Sequence, residues 1–141
     1  MPEMDKIRTV VEEWLEKAEH DLTNAAFTLR MGRTCPTDTV CFHAQQCIEK
    51  YLKALLVWKE IPFPKSHDVT EILALLPSTD RPALNAEECR KLASYATATR
   101  YPGDYEPISL TEARQAVQIA RRVRAAIRRM LPKATLRKRR A

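Results

Sequence analysis

Four polar residues, His43, Gln46, Lys50 and Lys53, recur at steps of three and four within CFHAQQCIEKYLKALLVW, residues 41–58. On a helix that spacing sets an imidazole, an amide and two ammonium groups in file. Such a file can donate hydrogen bonds to phosphate oxygens. A solvated helix face has the same composition and is the commoner reason for it. Arg100-Tyr101-Pro102, followed by Tyr105, is a second group with chemical content. A guanidinium beside a rigid turn can clamp a phosphate while a phenol ring stacks on a base. It can equally satisfy the carbonyls of a helix end. His67-Asp68 can cap the N–H groups of a helix start or contact a ligand. His43 and Cys47, four apart, can point at one metal, but two ligands do not make a site, and no metal or cofactor is expected. GxGxxG, Walker and HExxH motifs are absent, as is a strand–turn–helix elbow for a serine nucleophile.

Helices must position these groups. Val40, Ala44, Cys47, Ile48, Tyr51, Leu55 and Trp58 form one apolar stripe, widened by Leu52 and Leu56. The spacing predicts a helix from Thr37 or Asp38, either able to cap it, to about Lys59. A helix before it runs from Glu3 to Met31, with Val11, Trp14, Leu15, Ala18, Leu22, Ala25 and Leu29 inward and Gly32 ending it. Ile61-Pro62-Phe63-Pro64 is extended. Ser66 or Asp68 then caps a short helix that Pro77 closes. Asn85-Ala86-Glu87-Glu88 reads as a capping box opening a helix to about Thr99, and Tyr101 to Tyr105 as a turn. Ser109-Leu110-Thr111-Glu112 reads as a second capping box. It opens a last helix, with Ala116, Ile119, Ala120, Val123, Ile127 and Met130 inward, that Pro132 ends. The fold class is all-α: a five-helix up-and-down antiparallel bundle over residues 1–132, with a basic, disordered tail over 133–141.

The chain has 141 residues and a formal net charge of +6. Residues 111–141 hold eleven Lys and Arg against one acid, Glu112, whereas residues 1–110 sum to −4. The basic end suits a phosphate-rich partner or a solubilising tail. No apolar run is long enough for a bilayer and no signal peptide is seen. Four cysteines in no zinc or CxxC spacing fit a reducing cytoplasm.

Several of these residues together resemble the HEPN family (higher eukaryote and prokaryote nucleotide-binding domains). They are Trp14, Ala18 and Asp21; the run from Phe42 to Ala54 that contains Gln45-Gln46 and Glu49-Lys50; His67-Asp68-Val69; and Arg100-Tyr101-Pro102. The likeness spans about residues 8 to 131. It implies a five-helix bundle, usually a homodimer, from a bacterium or archaeon. It also implies a frequent partner, a minimal nucleotidyltransferase, in pairs that behave as toxin–antitoxin modules. Other members are metal-independent ribonucleases in which an Arg is followed by four to six residues and then a His. Here Tyr105, Glu106 and Pro107 stand at those places after Arg100, and no His lies downstream. A tyrosine of ordinary pKa near 10 is a poor proton shuttle at neutral pH.

The resulting expectation is a non-catalytic, cytoplasmic module binding a nucleotide or RNA. Lys50, Lys53 and Arg100 would meet phosphates, Tyr101 or Tyr105 would stack, and His43 and Gln46 would supply hydrogen bonds, with His67 and Asp68 as further contacts. The alternatives are a ribonuclease toxin using Arg100 and Tyr105, and a protein-interaction module with no nucleotide function.

Overall fold

A computed structural model of the chain describes residues 2–96 and 106–136. Among these, five α-helices and no strand are present. They are α1 (Pro2–Leu29), α2 (Thr37–Trp58), α3 (Val69–Ala74), α4 (Ala86–Tyr95) and α5 (Leu110–Met130). The all-α reading holds. The turn with Arg100, Tyr101 and Tyr105, the end of the expected fourth helix, and residues 137–141 of the expected tail lie outside the described residues.

α2 is the axis of the molecule. Its apolar stripe, widened by Leu52 and Leu56, is fully buried except Trp58, which is half-buried, and α1, α3, α4 and α5 all pack on it. Each fully buried Leu of this stripe is worth about 1.5–3 kcal/mol of hydrophobic stabilisation. The polar contacts give the helix directions. Asp21 meets His43 and Lys50, while Trp14, two turns earlier on α1, lies beside Lys53, so α1 and α2 are antiparallel. The Thr37 hydroxyl donates to the Ile108 carbonyl at 2.7 Å, and Tyr51 lies against Arg124 and Arg128, so α5 runs in the direction of α2. Tyr95 donates to Glu112 and Arg122 to Glu88, which sets α4 antiparallel to α5. The long helices are thus consistent with an up-and-down order.

The helix ends follow local chemistry, with differences from expectation. Gly32 sits at φ 62° after α1, the left-handed conformation that glycine adopts without penalty. Asp68 caps α3 by accepting from the Thr70 N–H, and the Asn85–Glu88 capping box is complete. Neither Thr37 nor Asp38 caps α2: Pro36 occupies the cap position in extended backbone, and the Thr37 hydroxyl is drawn to Ile108 instead. The Ser109 box is half made. Ser109 accepts from the Glu112 N–H, but the Glu112 carboxylate accepts from the Tyr95 hydroxyl. The expected tail does not start at residue 133. Lys133–Leu136 form a 3-10 turn in which Thr135 is buried and Leu136 packs on the core.

Candidate functional site

The polar file of α2 divides into an outer and an inner set, because α1 and the chain before α3 cover part of it. The outer set is His43, Gln46 and Lys50, all half-buried. Asp21, on α1 between the core positions Ala18 and Ala25, organises two of them. Its Oδ1 lies 2.8 Å from His43 Nδ1, and its Oδ2 accepts from Lys50 Nζ at 2.5 Å. Only 8% of Asp21 is exposed, so its charge is directed at these two groups. With a carboxylate as acceptor, the ring proton sits on Nδ1, and Nε2 is the remaining polar atom of the imidazole. The Phe42 ring stands edge-on to it at 5.5 Å.

The inner set is Gln45, Glu49, Lys53 and His67. Glu49, 2% exposed, accepts from Lys53 Nζ at 3.1 Å and from Gln45 Nε2 at 3.3 Å, and its two oxygens lie 3.0 and 3.2 Å from His67 Nδ1. Gln45 Nε2 also donates to the His67 carbonyl at 3.0 Å. Gln45 Oε1 accepts from Gln46 Nε2 at 2.7 Å, which ties the two sets together. The Lys53 ammonium stands 5.4 Å from the Trp14 ring and 5.8 Å from the Phe63 ring, and the two rings meet edge to face. A buried ammonium is tolerable when a carboxylate and aromatic faces replace water, and here both are present.

The expected residues therefore have different standings. His43, Gln46 and Lys50 come together on one half-buried surface. Lys53 is a correction: at 5% exposure its ammonium is committed to Glu49 and two aromatic rings, so it is not presented to a phosphate. His67 does not cap α3; its exposed ring is oriented by buried Glu49. Asp68 is taken by its capping bond. Residue reasoning missed Asp21, Gln45 and Glu49 as organisers. The signal was present: Gln45, Glu49 and Lys53 are spaced by four, and Asp21 interrupts the inner stripe of α1.

The thiols do not extend the site. Burial, then the Glu112 charge, pushes the Cys41 thiol up to about 12, and burial raises Cys35, Cys47 and Cys89 as well. Burial, with the bond to Glu112, also raises the Tyr95 phenol. Among the described residues no three His, Cys, Asp or Glu side chains gather to hold a metal, and no helix is long and apolar enough to cross a membrane.

The HEPN domain family model matches residues 11–130. Two solved structures are similar across nearly the same extent. TT1696 from Thermus thermophilus is 28% identical, with 86% of this chain and 98% of that one covered and a TM-score of 0.70. ST0689, an archaeal HEPN homologue, is 26% identical, with 85% and 96% covered and a TM-score of 0.66. No functionally curated protein matches the chain.

Proposed function

The chain belongs to the HEPN domain family, and we propose that it serves there as a non-catalytic module that binds a nucleotide or an RNA phosphate. One observation supports this reading above others: Asp21 fixes His43 and Lys50 on a half-buried surface beside the Gln46 amide. Held donors lose little freedom when an anion arrives, and the partial burial strengthens each contact. Arg100, with Tyr101 or Tyr105 stacking, completes the proposed ligand set. The concentrated basic end of the chain adds a sequence-independent attraction for phosphate. In the same reading the protein is a prokaryotic, cytoplasmic homodimer that pairs with a minimal nucleotidyltransferase in a toxin–antitoxin-type module.

Calorimetric titration at low salt, with a single-stranded RNA oligonucleotide and with a nucleoside triphosphate, tests the proposal. Saturable binding that weakens about tenfold in Lys50→Ala is expected. No heat from either ligand, or an affinity indifferent to Lys50→Ala, overturns it.

A further inference from the structure

The hydrogen bonds of the α2 surface fix which of its polar atoms can only accept. Gln45 sets the polarity. Its Nε2 faces the Glu49 carboxylate at 3.3 Å and the His67 carbonyl at 3.0 Å, and neither of those groups can donate. The amide therefore has one workable orientation, with its Oε1 toward Gln46. Gln46 must then donate through Nε2, at 2.7 Å. Its own Oε1 is left as an acceptor with no partner among the described residues.

His43 is fixed in the same way. Its Nδ1 donates to Asp21 Oδ1 at 2.8 Å. The Lys50 ammonium already balances the Asp21 charge, so the imidazole completes the cluster as a neutral ring. Nε2 then carries a lone pair and no proton, and among the described residues nothing donates to it. His67 repeats the pattern: its Nδ1 lies on Glu49, whose charge Lys53 balances, and its ring is exposed. Three acceptors, His43 Nε2, Gln46 Oε1 and His67 Nε2, thus accompany the half-buried ammonium of Lys50. A bare phosphate consists of acceptor oxygens and satisfies only the ammonium. The matching ligand carries a hydroxyl donor next to its phosphate. In RNA the 2′-hydroxyl adjoins the 3′-phosphate, and in DNA a C–H stands in its place. One carboxylate holds both His43 and Lys50, so a single nucleotide can reach the two together.

We infer that the α2 surface selects ribose over deoxyribose, with a 2′-hydroxyl donating to His43 Nε2 while the adjoining phosphate meets Lys50. This selection rests on the phosphate binding proposed for the same surface and names the sugar that comes with it. His43 is the specificity-determining residue. Asp21 is a positioning residue: by holding the ring proton on Nδ1 it keeps the acceptor nitrogen free for the sugar. Discrimination comes from the mismatch. A deoxyribose covers a half-buried imidazole nitrogen and gives it no donor in place of water.

The test is calorimetric titration of the full chain with three oligonucleotides of one sequence: oligouridylate, its 2′-deoxy form and its 2′-fluoro form. The titrations are run at low salt, with EDTA, at pH 8, where imidazoles are ordinarily neutral. The 2′-fluoro sugar keeps the shape of ribose and cannot donate. The RNA should bind about tenfold more tightly than either other strand. This comparison uses the unaltered protein, so it does not depend on a variant folding. His43→Asn can keep an amide donor to Asp21 but has no atom at the place of Nε2, and it should bring the RNA-to-DNA affinity ratio to about one. Equal binding of all three strands, each weakened by Lys50→Ala, overturns the sugar selection and leaves the phosphate reading in place. A 2′-fluoro strand bound as tightly as RNA overturns it too, because sugar shape and not the hydroxyl is then read. An unchanged ratio in His43→Asn overturns the role of His43. No binding of any strand overturns the phosphate reading and this selection with it.

Discussion

Asp21→Asn keeps the shape of the side chain and removes the charge that His43 and Lys50 share. Removing one partner of a fully buried ion pair costs about 3–5 kcal/mol, because the other charge is left without compensation. The side chains of His43 and Lys50 are 25% and 21% exposed, so water partly replaces the lost carboxylate. The cost should fall to about 2 kcal/mol, near that of a hydrogen bond to a charged group. At about 2–4 °C per kcal/mol for chains of roughly this size, melting should drop by about 4–8 °C. Calorimetric or fluorescence melting measures this directly. A double-mutant cycle with Lys50→Met should return a coupling of about 1–2 kcal/mol. RNA affinity at low salt should fall as well, because His43 and Lys50 are then no longer held in place for an arriving phosphate. A melting change below about 1 °C, or zero coupling to Lys50, refutes the reasoning that Asp21 organises this surface.

Arg122 bonds the Glu88 carboxylate from α5, and Asn85 does so from the capping box. Burial acts to raise the Glu88 carboxyl, but these bonds and the Arg122 charge outweigh it and hold it below its ordinary value. A lowered carboxyl contributes stability above its unfolded pKa, and that contribution is lost as pH falls through the folded pKa. Glu88→Gln should therefore cost up to about 1 kcal/mol at pH 7 in urea melts, modest because Arg122 is nearly half exposed, and the cost should shrink as acid protonates the folded-state carboxyl. The four cysteines are free and buried, with thiols raised by burial. A disulfide reagent at pH 8 should label them at the rate of unfolding, and immediate labelling of Cys41 or Cys47 would contradict their burial. Glu60 takes the left-handed conformation at φ 58° just past α2, where the Ile61 N–H returns to the Leu56 carbonyl at 2.9 Å. Glu60→Gly should raise stability by about 0.5 kcal/mol, since relief of left-handed strain exceeds the added chain entropy, and an unchanged urea midpoint would refute it.

The bundle was legible because hydrophobic spacing is a direct record of which helix face is dry. The stripe from Val40 to Trp58 and the inner positions of α1 and α5 were read correctly from steps of three and four. The helix starts were less legible, because a side chain able to cap can find a better partner far along the chain. Thr37 reaches Ile108, and Glu112 is taken by Tyr95; neither partner is implied by the local sequence. Leu136 shows the same limit at the other end. One apolar residue in a basic run carries too little pattern to predict a turn, yet it packs on the core.

The α2 file shows where spacing stops being informative. His43, Gln46, Lys50 and Lys53 are equivalent by periodicity, but a helix surface is not uniform once neighbours are added. α1 brings Asp21 to the near end of the file and Trp14 to the far end; Phe63, from the extended segment after α2, closes over Lys53. The same two ammonium groups then acquire opposite roles. Lys50 keeps a solvent-facing portion and one shared carboxylate, so an arriving phosphate can compete for it. Lys53 has an almost fully buried carboxylate of its own and two aromatic faces. Drawing it out would leave Glu49 with only Gln45 and the His67 ring, a buried charge short of its main partner. The inner set is therefore a fixed support for His67 and Gln45, and through Gln45 for the Gln46 amide. The outer set is the part of α2 on which a ligand can act.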